Sequence, residues 1–135
     1  MFLKAKSIGL LVGIVWTTLS CFTNPPDPTQ AIDASMRMGR AHQLAVYFDT
    51  DLELRIDPFG VDYPSVHAGQ AELIMRSFFK KYPPVRFQTA QQGSTAHLRY
   101  ATGTYWSGLH AFHVNVLMRQ ATPGHYKIHS IQVNE

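Results

Sequence analysis

The sequence predicts one small α+β domain, with helices first and a mainly antiparallel sheet last. Apolar residues recur at helical spacing between positions 66 and 82, which indicates one long amphipathic helix. After Pro84 the chain has the pattern of four long strands separated by turn-forming residues. No parallel crossover unit is visible, so an α/β fold is not expected.

The elements follow in a definite order. Asp27 and Pro28 predict a helix start, and Gly39 predicts the end of that first helix. Next come a short helix, a half-buried strand, a short partner strand and the long helix, which Pro83 and Pro84 stop. The predicted spans are 41–48, 51–57, 61–63 and 66–82, followed by strands over 85–92, 97–106, 109–119 and 125–133.

The first twenty residues have the anatomy of a secretory signal. Lys4 and Lys6 form a short basic region, and an apolar run follows that Asn24 and two prolines end early. A membrane-spanning helix needs about twenty apolar residues, so an uncleaved anchor is the less favoured alternative. We expect a signal peptide over 1–20, a linker over 21–28 and the domain over 29–135.

The single cysteine, Cys21, excludes an internal disulfide and lies directly after the expected cut. A bacterial lipoprotein carries its acylated cysteine at this place, although Thr18 and Leu19 match a lipobox only loosely. The expected location is therefore periplasmic, secreted or lipid-anchored in the envelope, with Cys21 as the candidate site of lipid attachment.

The formal charge of +3 does not indicate nucleic-acid binding. Removing residues 1–20 takes away Lys4 and Lys6 and leaves a charge of about +1, with the remaining basic residues scattered. A phosphate-binding surface needs them gathered in a stripe.

The turn at Ser107 and Gly108 allows the faces of the sheet to be assigned. We expect Tyr105 opposite His110, Gly103 opposite Phe112 and Ala101 opposite Val114. That face is apolar and should pack on the helices. Its polar members are the candidate ligand-binding residues: Arg99, Tyr105 and His110.

The opposite face of the same strands carries Tyr100 and Trp106. Large aromatic residues on a sheet surface fit a dimer or partner interface, and an ordinary solvated face is the alternative.

Most chemistries are disfavoured. His110 and His113 fall on opposite faces of a strand, while His125 and His129 lie roughly 13 Å apart in an extended segment. No metal site, cofactor or catalytic residue is therefore assigned. Asp57 is the one strand-end carboxylate able to face inward, and a turn-capping role is the simpler reading.

The order of elements resembles the nuclear-transport-factor-two-like superfamily, a curved sheet wrapped on helices into a cone. More narrowly, the chain is similar to a family of exported proteins of Bacteroidota-type bacteria, a domain of unknown function within that superfamily. The resemblance implies a fold and a compartment but no mechanism, since this scaffold hosts enzymes, ligand binders and dimer modules. The stretches that carry it are 44–48, 78–84, 92–94, 100–104 and 126–128.

Three functions stay open. The first is an exported non-catalytic module that binds a small, partly apolar molecule in the cone, which a space filled by Phe59, Phe78 and Phe79 would count against. The second is a homodimerising or partner-binding module using Tyr100 and Trp106. The third is an acid–base enzyme of the isomerase or cyclase type, using Asp57 or a histidine.

Overall fold

The computed structural model describes residues 28–135. The signal peptide expected over 1–20, Cys21 and the linker up to residue 27 lie outside the described residues. The elements are α1 (Pro28–Met38), α2 (Ala41–Ala45), β1 (Phe48–Ile56), a 3₁₀ turn (Asp57–Phe59), β2 (Val61–His67), α3 (Ala68–Lys81), β3 (Arg86–Ser94), β4 (Leu98–Ser107), β5 (His110–Thr122) and β6 (His125–Asn134).

All six strands form one mixed sheet in the order β2-β1-β6-β5-β4-β3. The last four strands run as an antiparallel meander, as predicted. β1 pairs antiparallel with β2 and parallel with β6. The last strand along the chain is therefore the one that joins the N-terminal hairpin to the meander.

The core lies between the inner face of the sheet and the three helices. Alternate strand residues point inward, as the pleat requires, and α3 supplies Ala71, Met75, Phe78 and Phe79. α1 and α2 add Ile32, Met36 and Leu44. The large buried side chains of the sheet include Leu52, Leu54, Ile56, Tyr105, Phe112, Met118, Ile128 and Ile131. The α+β class and the helix-covered curved sheet are confirmed.

Two predicted helix boundaries were wrong, and β1 and β2 are longer than predicted as a result. The short helix ends at Ala45 and not at Phe48, because Phe48 already pairs with Ile128 in the sheet. The long helix begins at Ala68 and not at Val66, because Val66 pairs with Leu52 and extends β2 to seven residues. In both places strand pairing overrides a local helical pattern.

The predicted register of the β4–β5 hairpin was also wrong, by two residues. Tyr105 lies opposite Phe112 and Ser107 lies opposite His110. The loop is the two-residue Gly108-Leu109, and Gly108 has a φ of 57°, which suits the first position of a tight hairpin turn. The shift is even, so every side chain keeps the face predicted for it.

Candidate functional site

The space beneath α3 is filled by aromatic rings. Phe78 is fully buried, and its ring centroid lies 5.3 Å from that of Tyr105, 5.6 Å from that of Phe112 and 5.8 Å from that of Phe59. Phe79 packs on Phe78 at 5.9 Å. This packing counts against a ligand chamber under the long helix.

Tyr105 belongs to this aromatic cluster and not to a cavity rim. Its side chain is fully buried, and its hydroxyl donates a hydrogen bond to the Tyr82 carbonyl oxygen at 2.5 Å. Burial raises the pKa of the phenol well above its ordinary value. A neutral, hydrogen-bonded phenol at this depth fixes the end of α3 against the sheet.

His110 lies at the exposed end of the same cluster. Its ring stacks on Phe112 with centroids 5.7 Å apart and meets the edge of Tyr82 at 5.2 Å. The Lys81 ammonium group lies 5.3 Å from the centroid of Phe59 and 5.5 Å from that of Tyr82. His110 thus caps an aromatic stack at the surface.

Arg99 lies at the opposite end of β4, across from Met118. Its guanidinium carbon is 4.3 Å from the centroid of Tyr126, a cation–π contact that orients the side chain. Six residues of strand, about 20 Å, separate Arg99 from Tyr105. The structure therefore does not bring the three predicted residues together.

Arg99 lines a polar depression of about 320 Å³ at the free edge of β3. Its other lining residues are Thr29, Gln92, Gly93, Ser94 and Tyr100. Gly93 is essential to its shape, because a Cβ there would lie 2.3 Å from the Tyr100 ring. Tyr100 consequently lies flat across β3.

A second depression, of about 290 Å³ and largely apolar, lies on the outer face of the sheet and shares Tyr100 with the first. Thr102, Asn115 and Leu117 form its middle, and Ser130 and Gln132 of β6 form its far side. Tyr100 is 45% exposed, whereas Trp106 is half-buried under the Arg86 guanidinium at 4.9 Å.

Asp57 does not face the interior. It is exposed and opens the 3₁₀ turn, where its backbone carbonyl accepts a hydrogen bond from the Gly60 amide at 3.0 Å. Over residues 28–135 no group of three or more His, Cys, Asp and Glu side chains is placed to hold a metal ion. No helix in that same range is long and apolar enough to cross a bilayer.

Sequence reasoning missed two histidine–carboxylate pairs. His67 Nδ1 lies 2.6 Å from Asp51 Oδ1, and His42 Nδ1 lies 2.7 Å from Glu72 Oε1. The first pair spans the β1–β2 register and the second joins α2 to α3. Extending β2 to His67 would have revealed the first pair, since Asp51 and His67 are directly opposite each other.

The helices, the order of strands and the curved sheet form the nuclear-transport-factor-two-like fold. Among solved structures, a protein of this fold family from Streptomyces avermitilis shares the architecture at a TM-score of 0.55 and 12% identity, covering 78% of this chain and 89% of the other.

The family is more specific than the fold. The profile of a domain of unknown function, DUF4783, matches residues 29–134, and the chain belongs to that family. The crystal structure of a DUF4783 protein from Bacteroides ovatus superposes at a TM-score of 0.71 with 22% identity, covering 78% of this chain and 92% of that one. One from Bacteroides uniformis gives 0.72 and 21%, covering 78% and 94%. No match is found among curated proteins.

Proposed function

We propose that this chain is an exported binding module whose working surface is the outer face of the sheet and whose occupant is a second copy of itself. The observation that carries the proposal is the contrast between the two sides of the sheet. The inner side is closed by packed aromatic rings, whereas the outer side presents the half-exposed Tyr100 beside an apolar depression and a half-buried Trp106 further along β4.

The composition of the outer face supports self-association. Interface centres are depleted in charge and enriched in tyrosine and tryptophan. The outward positions of β4 and β5 include Tyr100, Thr102, Trp106 and Asn115 and carry no carboxylate. Arg119, the one Arg or Lys at these positions, lies at one end of β5, so a twofold axis near Thr102 keeps the two copies of Arg119 apart.

The size of the face is also adequate. Five neighbouring strands about 4.8 Å apart and roughly ten residues long present about 800 Å². A standard stable interface buries about 800 Å² from each partner. Packing of two such faces would cover both Tyr100 side chains and fill both apolar depressions.

Sedimentation velocity over a range of micromolar concentrations tests this proposal. The wild-type domain should sediment as a dimer. Thr102→Arg, which places a charge in the middle of the face, should give a monomer with unchanged circular dichroism. Leu73→Arg, a change at an exposed position of α3, is the matched control and should stay dimeric.

A wild-type protein that is monomeric throughout that range would refute self-association. So would a dimer that Thr102→Arg leaves intact and Leu73→Arg dissociates.

A second candidate is a small-molecule binder at the polar depression beside Arg99. The pocket offers hydroxyl, amide and guanidinium groups within about 320 Å³, which suits a small polar or carboxylate-bearing molecule. Native mass spectrometry of protein from its own envelope tests this reading. A bound molecule should be retained by the wild type and lost from Arg99→Ala, while equal occupancy of both would exclude this pocket.

Export is tested by the intact mass of the same material. Cleavage before Cys21 with acyl groups attached would indicate a lipoprotein, and an unmodified cleaved chain would indicate plain secretion. A mass that includes residues 1–20 would contradict a cleaved signal.

A further inference from the structure

The largest of the three depressions described here lies where β2 runs into α3. Its volume is about 460 Å³, and every side chain that lines it is polar except that of Val66. Asp51, Tyr63, Ser65, His67 and Gln70 supply a carboxylate, two hydroxyls, an imidazole and an amide. It lies on the β1–β2 side of the sheet, whereas the proposed binding surface is centred on Thr102 of β4.

Asp51 and His67 form an oriented pair within this depression. They occupy opposite positions on β1 and β2, and Asp51 Oδ1 lies 2.6 Å from His67 Nδ1. Because the carboxylate contacts Nδ1, the other ring nitrogen, Nε2, is the one that can accept a proton from another group. A carboxylate in this position selects the tautomer in which Nε2 accepts a proton.

Ser65 is the candidate for that other group. It lies two residues before His67 on the same strand, and alternate residues of a strand share a face. The register of β1 and β2 shifts here, so that Pro64 and Ser65 together oppose Glu53. A bulge of this kind re-aims a side chain.

The start of α3 completes the arrangement. His67 is the N-cap residue in an extended conformation, and no side chain caps the helix. The first backbone N–H groups of a helix have no partner within the helix. Beside Ser65 and His67, the amides of Ala68 and Gly69 could donate hydrogen bonds to a developing oxyanion.

We propose that Ser65, His67 and Asp51 form an acyl-transfer centre that acts on small carboxylic esters reaching this open depression. Ser65 and His67 are the catalytic residues, and Asp51 is a positioning residue that acts through His67.

The reaction balances without any further reagent. Ser65 Oγ forms a bond to the ester carbonyl carbon while its proton passes to His67 Nε2. The C–O bond to the alcohol then breaks, and the alcohol leaves with that proton. Water, deprotonated by His67, attacks the acyl-serine, so that the carboxylic acid is released and Ser65 regains its proton.

The test uses 4-nitrophenyl acetate with the full domain. Release of 4-nitrophenolate is followed by absorbance, and the acetylated residue is located by peptide mass spectrometry. We expect acetyl on Ser65. Ser65→Ala and His67→Gln should each lower the rate at least about a hundredfold, the usual contribution of a nucleophile or general base.

His42→Gln is the matched control. His42 makes the other imidazole–carboxylate contact in residues 28–135, at 2.7 Å, with the same degree of exposure as His67 but outside this depression. Its loss should leave the rate unchanged, which separates a built site from the general reactivity of an exposed imidazole. Asp51→Asn should slow acetylation of Ser65, and Asp51→Glu should restore part of it.

Acetyl found on lysine or histidine and not on Ser65 would overturn the proposal. It would also fail if Ser65→Ala or His67→Gln kept the wild-type rate, or if His42→Gln lowered the rate as much as His67→Gln. Matching circular dichroism spectra and unfolding midpoints for all variants would assign these outcomes to chemistry and not to loss of fold.

Discussion

The two faces of the sheet are built from the same strands and have opposite characters. On the inner face, Phe78, Tyr105 and Phe112 interlock and leave no exposed surface. On the outer face, Tyr100 lies flat across a neighbouring strand and Trp106 lies under an arginine. The comparison shows that aromatic rings fill the interior beneath α3 and that Tyr100, on the outer face, is partly exposed.

The strongest test of the comparison is Phe78→Ala. Phe78 is fully buried and touches the rings of Phe59, Phe79, Tyr82, Tyr105 and Phe112. Truncation should lower the free energy of unfolding by about 4 kcal/mol, because it removes buried contacts and leaves a cavity. Urea denaturation measures this loss. A loss below about 1.5 kcal/mol would mean that the interior is loosely packed and able to admit a ligand.

Tyr105→Phe is a finer test of the same interior. It removes only the hydroxyl that bonds the Tyr82 carbonyl, and it should cost about 1–2 kcal/mol at neutral pH.

The pH dependence of stability distinguishes Tyr105→Phe from other changes in the core. The pKa of Tyr105 is raised in the folded protein, so the unfolded chain ionises first, near pH 10. Stability that is fully present below about pH 10 should fall as the pH rises further. Tyr105→Phe should flatten that alkaline decline, as thermal melts between pH 8 and pH 11 would show. Equal slopes in both proteins would place the hydroxyl in contact with water.

On the outer face, Gly93→Ala should have a smaller effect. The new Cβ would lie 2.4 Å from the Tyr100 hydroxyl oxygen, and the ring can move away because it is exposed. We expect a loss of about 1 kcal/mol, and this loss should shrink when Tyr100→Ala is already present. Additive losses in the double-mutant cycle would contradict the close approach of ring and backbone.

Arg86→Ala should have the smallest effect of the series. The guanidinium lies over Trp106 at the surface, and such exposed contacts are worth about 0.5–1 kcal/mol. Chemical denaturation of this variant, with Phe78→Ala as reference, measures the contrast between the two faces. If Arg86→Ala lowered the free energy of unfolding as much as Phe78→Ala does, the two faces would not differ in their contribution to stability.

Much of the fold follows from local patterns in the sequence. The apolar stripe that includes Phe78 predicts α3, and alternation predicts which face each residue of β4 occupies. The helix boundaries were predicted wrongly where pairing with a distant strand decides whether a residue is helical or extended. Nothing local to Phe48 or Val66 shows that Ile128 and Leu52 will draw them into the sheet.

The positions of the candidate residues were likewise predicted correctly where local pattern decides and wrongly where distant parts of the chain meet. Arg99, Tyr105 and His110 share a face, as predicted, but strand length separates Arg99 from the other two. Whether Tyr105 lines a space or fills one depends on how far Phe78 reaches across from α3. The Asp51–His67 pair depends on β2 extending four residues beyond the Tyr63 at which it was expected to end.

The position of β6 has a consequence for biosynthesis. Among the six strands of residues 28–135, β1 joins the meander through its parallel pairing with β6, and β6 is the last of the six to be made. A nascent chain therefore holds β1 without one of its two pairing partners until β6 emerges. Such long-range closure makes folding slow compared with that of a helical bundle, and it leaves one hydrogen-bonding edge of β1 unpaired until β6 has been made.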